Sequence, residues 1–234
     1  MRKTLGCIRK AVKDYNMIND GDHICVAVSG GKDSMLLLKA LKTYMYFSPE
    51  KFKLTAICID VGFDNMKLDK LESFCDEIQV PLEIVHTDIK KIVFDERKEK
   101  NPCSLCSKMK RAALNETALK LGSNKIAFGH HRDDFIESFL LSLFYEGRIH
   151  TFKPVTYLDR TGVYSLRPLL YAKENDVIHA VKTENIPIIK SECPADGFTK
   201  REEMKNLVKY LKKQIPNADE RMFTAIKNNL ENMK

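Results

Sequence analysis

The sequence predicts an α/β fold: an open, doubly wound parallel sheet with a helix before it and a helical extension after it. Three observations predict it. Short apolar runs alternate with amphipathic helical patterns through most of the 234 residues. The runs are too short for helices and are bounded by turn signals, as strands buried on both faces are. Three chemically suggestive segments, Ser29–Ser34, Asp60–Gly62 and Gly129–Asp134, each follow one of these runs. Such sheets bind ligands at the carboxyl ends of their strands.

Residues 2–18 carry Leu5, Ile8, Val12 and Tyr15 at helical spacing, and Asn19-Asp20-Gly21 then reads as a turn. Ile24–Val28 is the first strand, leading into Ser29-Gly30-Gly31 and a helix from about Asp33 to Tyr46. Leu54–Asp60 reads as a strand, Lys67–Gln79 as a helix and Leu82–His86 as a third strand. A charged, poorly patterned stretch follows. Residues 104–121 then form a helix that ends at Gly122, a plausible C-cap. Lys125–Gly129 is a strand, Asp133–Phe144 a helix, Val163–Leu166 a strand, Lys173–Glu184 a helix and Ile186–Ile189 a last short strand. From about residue 195 the chain is charged and helical, with Met204, Leu207, Val208 and Leu211 as an apolar stripe. The expected organisation is an N-terminal helix (1–20), a sheet domain (21–194) and a C-terminal helical extension (195–234).

Hydrophobic content is 44% and charged content 30%, the balance of a globular domain with a real core. No apolar run reaches the roughly 20 residues of a membrane span, and no secretory signal is visible, so a cytoplasmic protein with no membrane partner is expected. The net charge of +7 suits a polyanionic partner. Lys90, Lys91, Arg97, Lys98, Lys100, Lys108, Lys110 and Arg111 crowd the middle of the chain. Lys200, Arg201, Lys205, Lys209, Lys212 and Lys213 lie on a C-terminal helix, where a solvated face and an RNA contact are equally good readings.

A strand that stops at Ser29-Gly30-Gly31 and turns into a helix aims backbone N–H groups at one point. The helix dipole and Lys32 add positive charge there, and Ser29 and Ser34 add hydroxyl donors, making an anion cradle. It is not a Walker loop. Val26 stands where that motif needs its first glycine, and Asp33 where it needs Ser or Thr.

Seven cysteines in a chain without an export signal argue against a disulfide framework. Cys25 and Cys58 sit in apolar runs and read as core. Cys103 and Cys106 fall near a helix start beside Lys108, Lys110 and Arg111, a setting that favours thiolates. The pair could ligate metal, form a redox disulfide or simply be buried. Zinc would want a fourth ligand and no second CxxC exists. With Cys193 after the last predicted strand, three thiolates at one sheet edge would suit an iron–sulfur cluster with one open iron. Asp133 and Asp134 at a helix start can bind Mg²⁺ or cap the helix. His130 and His131 could meet phosphate or nucleobase, one of them reading equally as structural, and Arg167 could face the site or anchor a loop.

Ser29-Gly30-Gly31-Lys32-Asp33-Ser34 resembles the SGGxDS loop of the PP-loop ATP pyrophosphatases, of adenine nucleotide α-hydrolase-like fold. These cleave ATP between its α and β phosphates and activate a substrate oxygen as an adenylate. Pro102–Arg111, Gly129–Asp134 and Arg167-Pro168-Leu169, in that order, are similar to the tRNA 2-thiocytidine synthetase family, to about Asn229. The resemblance implies ATP on Ser29, Gly30, Gly31, Lys32, Asp33 and Ser34, with Asp60, Gly129 and His130 nearby, and Mg²⁺ on Asp133 and Asp134. It implies a 4Fe-4S cluster on Cys103, Cys106 and Cys193, and catalytic roles for Lys32, Asp33, Asp133 and Cys106. It also implies a tRNA substrate thiolated at cytidine 32, sulfur from a cysteine desulfurase or free sulfide, and a homodimer. Many members carry a late Cys-x-x-Cys where this chain has only Cys193. A cluster-free enzyme acting on uridine, with Cys106 as persulfide carrier and Cys103 resolving it, is an alternative. The paired cysteines argue against an amide or lysidine-type ligation, and the intact Lys32, Asp33 and Ser34 against a non-enzymatic RNA- or metal-binding module.

Overall fold

A computed structural model describes residues 1–63, 68–97, 102–189, 193 and 200–232. Lys67, Lys98, Lys100 and the expected boundary between 194 and 195 lie outside the described residues. The chain forms α1 (Arg2–Tyr15), β1 (His23–Ala27), α2 (Lys32–Met45), β2 (Lys53–Asp60), α3 (Leu68–Glu77) and β3 (Leu82–His86). A short π-helix, Lys91–Glu96, precedes α4 (Pro102–Lys120), β4 (Lys125–Ala127) and α5 (Arg132–Glu146). Then come β5 (Val155–Leu158), β6 (Val163–Leu166), α6 (Glu174–Thr183), α7 (Lys200–Gln214) and α8 (Ala218–Asn232).

Six strands form one sheet in the order β3-β2-β1-β4-β6-β5. Every pairing is parallel except β5 with β6. Strand residues alternate between two faces, as the pleat requires. Ile24, Val26, Leu54, Ala56 and Cys58 join one core cluster with buried residues of α1, α2, α3 and α6. Cys25, Ile57 and Ile126 point the other way, onto Leu114 and Ala118 of α4. This is the doubly wound arrangement. The order reverses between β1 and β4, so a crevice opens at their carboxyl ends.

One expectation is corrected. Ile186–Ile189 forms no strand. The sheet edge it would join is taken, because β6 pairs with β4 and β5 pairs with β6. The segment instead crosses the loop after β1, where the Ile189 N–H donates to the Gly30 carbonyl at 2.9 Å. The expected parallel sheet is present in β3-β2-β1-β4-β6, and one further edge strand, β5, runs antiparallel. Its signal was present: Val-Thr-Tyr-Leu, then Asp159–Gly162 as a turn, then Val-Tyr-Ser-Leu, with Gly162 at φ +67°. The charged stretch before α4 holds the π-helix, whose Val93 is buried.

Gly122 follows α4 at φ +70°, and the N–H of Ser123 returns to the Ala118 carbonyl. The C-terminal helices pack on α5: Phe135, Ile136 and Leu140 bury against Met204, Val208, Phe223 and Ile226. Within this contact Arg132 of α5 pairs with Asp219 of α8, both side chains almost fully buried. Removing one partner of such a pair costs about 3–5 kcal/mol, because it strands a charge away from water.

Candidate active site

The loop after β1 is shaped by close backbone packing. Gly30 has φ +79°, and a Cβ there would stand 2.7 Å from Cβ of Ile189. Only glycine meets both demands. The Ser29 N–H donates to Ser34 Oγ at 3.1 Å, and Ser34 Oγ donates to the Gly31 carbonyl at 3.0 Å. The hydroxyls of Ser29 and Ser34 lie 3.2 Å apart. Helix α2 starts at Lys32 with Gly31 as its N-cap.

The segment after β4 lies directly on this loop. A Cβ on Gly129 would stand 2.9 Å from both the Asp33 carbonyl carbon and the Ser34 nitrogen. Neither atom can yield, since both are backbone. Gly129→Ala should therefore cost about 1–3 kcal/mol of stability and weaken ATP binding. Thermal melts with and without ATP check this; an alanine variant that keeps the wild-type ATP-induced shift would show that the loops can separate without harm.

Charged groups gather around that contact. Lys32 Nζ lies 3.0 Å from both carboxylate oxygens of Asp33 and 3.4 Å from Oε1 of Glu174. Burial works against the ammonium, but these carboxylates outweigh it and hold its pKa above the usual lysine value. Lys205 of α7 donates to the same Glu174 oxygen at 2.7 Å. The buried His131 ring lies 3.6 Å from Asp33 and 3.5 Å from Asp134, and its Nδ1 lacks a hydrogen bond.

The two aspartates differ. Both oxygens of Asp134 accept protein donors: the His131 N–H at 2.8 Å, closing a capping box on α5, and Arg201 at 3.0 Å. Asp133 accepts the Glu174 N–H at the start of α6 through Oδ2, leaving Oδ1 without a hydrogen bond among the described residues. Glu137, one turn on, is pushed up to about 7 by burial and by Asp134. Asp60, at the end of β2, accepts the Gly62 N–H and meets His86 Nδ1 at 2.9 Å.

His130 sits between Phe128 and Phe152, its Nδ1 buried without a partner. Burial holds this imidazole below its usual range, against the pull of Asp134. Arg167 stacks its guanidinium over Phe152 and donates to the Lys153 carbonyl at 2.5 Å. It is pushed down to about 10 by burial and then by Arg111.

The N-terminal turns of α4 carry an exposed Cys103 and a half-buried Cys106; Cys193 is also half-buried, and none of the seven cysteines forms a disulfide. The expected thiolate at Cys106 is corrected. Burial raises its pKa first, Lys110 offsets only part, and the neighbouring Cys193 and Cys103 raise it further. Cys103 and Cys193 thus both lie within electrostatic reach of Cys106. Among the described residues, no three His, Cys, Asp or Glu side chains converge closely enough to hold a metal ion.

An anion cradle at the switch point and an acidic segment packed onto it agree with the comparisons. A family model described as a PP-loop domain matches residues 5–210. The chain is 35% identical over 230 residues to the tRNA-cytidine(32) 2-sulfurtransferase of Pelobacter propionicus, covering 97% of this chain and 86% of that protein. It is 38% identical over 220 residues to the enzyme of the same name from Aliivibrio fischeri, covering 93% and 72%.

The chain belongs to the PP-loop family.

Within it, the chain is one of the tRNA 2-thiocytidine synthetase-like members, and it catalyses ATP-dependent tRNA thiolation. Its fold matches the U34-tRNA thiolase NcsA from Methanococcus maripaludis, solved with its [4Fe-4S] cluster. The TM-score is 0.80 at 24% identity, over 98% of this chain and 78% of that one.

Several of the enzyme's site contacts were not legible in sequence. Glu174 and Lys205 lie far from the loop in the chain and have no motif. Arg201 and Lys205 belong to the basic group read as solvated or RNA-facing, yet both turn inward to Asp134 and Glu174. Among the described residues no helix is long and apolar enough to cross a membrane.

Proposed function

We propose that the enzyme thiolates cytidine 32 of tRNA, by adenylating the C2 oxygen and replacing it with sulfur at a site built around Cys103, Cys106 and Cys193. The observation that carries this reading is one shared edge. The phosphate loop, the Gly129–Asp134 segment and the strand ends meet at the crevice between β1 and β4, and Cys103 and Cys193 lie within electrostatic reach of Cys106 on α4. The named relatives supply the nucleoside.

The chemistry follows from the groups present. A pyrimidine C2 oxygen leaves poorly, whereas AMP leaves well. The N–H groups at the start of α2, the hydroxyls of Ser29 and Ser34, and Lys32 would bind the departing pyrophosphate as charge builds on it. The acidic cluster suits Mg²⁺, a hard cation that prefers carboxylate oxygen. Asp133 is the better ligand of the two aspartates, because Asp134 has both oxygens committed. Lys32 and Asp33 would act on the phosphates, and Asp60, Gly129 and His130 would border the nucleotide.

Three soft thiols suit a 4Fe-4S cluster, and NcsA, the nearby fold, carries one. Such a cluster supplies an open iron at which the sulfur to be transferred can be held. Sulfur would come from a cysteine desulfurase or free sulfide in the cytoplasm.

The test is anaerobic. Cluster-reconstituted protein, ATP, sulfide and unmodified tRNA should yield 2-thiocytidine at position 32 by nucleoside mass spectrometry, with iron and sulfide bound to the protein. Product at a uridine would move the substrate. Full activity in iron-free protein, with sulfur supplied as the persulfide of a cysteine desulfurase and the desulfurase thiol released on transfer, would replace the cluster with a persulfide on Cys106.

A further inference from the structure

Beyond β4, the α4 face of the sheet is only partly covered. A trough of about 810 Å³ runs between α4 and the β5–β6 turn. Ser104, Ser107, Lys108, Arg111 and Asn115 line its helix wall, and Arg160 lines the turn opposite. The helix residues recur every three or four positions, so they form one stripe. Ser104 follows Cys103 and Ser107 follows Cys106, so the trough begins at the cysteines. It continues to Leu119, about 20 Å further along α4 at 1.5 Å per residue.

Some exposed basic side chains hold carboxylates, as Lys120 holds Glu116, Arg148 holds Glu146 and Lys200 holds Glu203. Among the described residues Lys108, Arg111 and Arg160 hold none. Arg111 instead shares its field with the buried guanidinium of Arg167. Of the two acids in the lining, Glu116 is neutralised by Lys120, and only Asp159 remains. Three cations beside a single remaining acid suit a polyanion. An RNA loop offers its base to an enzyme by splaying it outward, and its stem continues away from that point.

We propose that this trough carries the phosphate backbone of the tRNA stem adjoining the modified loop, with Lys108, Arg111 and Arg160 as phosphate contacts. The proposal rests on the tRNA thiolation reading. It fixes a direction: the loop base enters at the cysteine end, and the stem runs along α4 toward Arg160.

The test uses the full chain and an unmodified tRNA transcript, with binding measured across a salt series. Arg160→Gln should weaken binding and reduce the slope of log K against log salt by about one. Lys108→Gln should do the same. Neither should change the melting temperature or ATP binding. A loop oligonucleotide without its stem should not sense Arg160→Gln. Unchanged affinity and slope in both variants would overturn the trough while leaving thiolation standing. Loss of activity only when sulfur comes from a donor protein, with tRNA affinity intact, would assign the trough to that protein and also overturn the proposal. A wild-type chain that neither binds nor thiolates tRNA would remove the parent reading, and the trough with it.

Discussion

Lys32→Met is expected to lower tRNA-dependent pyrophosphate release by about 10²–10³-fold while leaving the protein folded. The ammonium is the full positive charge within the cradle, 3.0 Å from Asp33 and 3.4 Å from Glu174. In this structure it neutralises two carboxylates. With nucleotide present, the same charge would offset the phosphate oxygens as the α–β bond breaks. Its removal therefore acts on the transition state more than on stability. Glu174 keeps Lys205, and Asp33 is about a third exposed, so water can solvate it. Pyrophosphate assays and thermal melts on one sample make the check. Near-normal turnover would show that the backbone cradle suffices without Lys32.

Cys106→Ala is expected to separate the two halves of the reaction. Sulfur incorporation should fall by more than about 100-fold, beyond the cost of losing an outer-shell partner. AMP formation driven by tRNA should persist. Cys106 lies in the N-terminal turns of α4, its thiol in the field of Cys103 and Cys193. The phosphate loop is built by α2 and the segment after β4. Nothing in that loop's hydrogen bonding passes through α4. Iron content measured on the same sample should fall with the sulfur activity. If AMP formation is lost as well, the cysteine region also shapes the adenylation site. Undiminished sulfur transfer would remove Cys106 from the mechanism.

The fold was largely legible because its signals are local. Each buried parallel strand is a short apolar run, and β1, β2, β3, β4 and β6 emerged near their observed bounds. The phosphate loop was legible for the same reason: cradle, glycines and helix start are contiguous. What escaped depends on tertiary contact. Ile186–Ile189 has a strand's composition, but β5 fills the place beside β6 and the segment hydrogen-bonds to the loop after β1 instead. Cys106 has a thiolate's sequence neighbours, yet burial first, and then the thiols of Cys193 and Cys103, outweigh them. Glu174 reaches the loop only because α6 begins where Asp133 caps it.

Gly129 has one more consequence. The spacing between the two loops is set there by contact repulsion: hydrogen stands where a methyl group would overlap the Asp33 and Ser34 backbone. Repulsive walls are steep and indifferent to ionic strength or pH. Ion pairs such as Glu174 with Lys205 are soft and screened by salt. The enzyme thus holds its nucleotide loops with a mechanical stop, and the charges around them with springs. As conditions vary, the distance across the crevice should stay fixed while the ring of side chains about it relaxes.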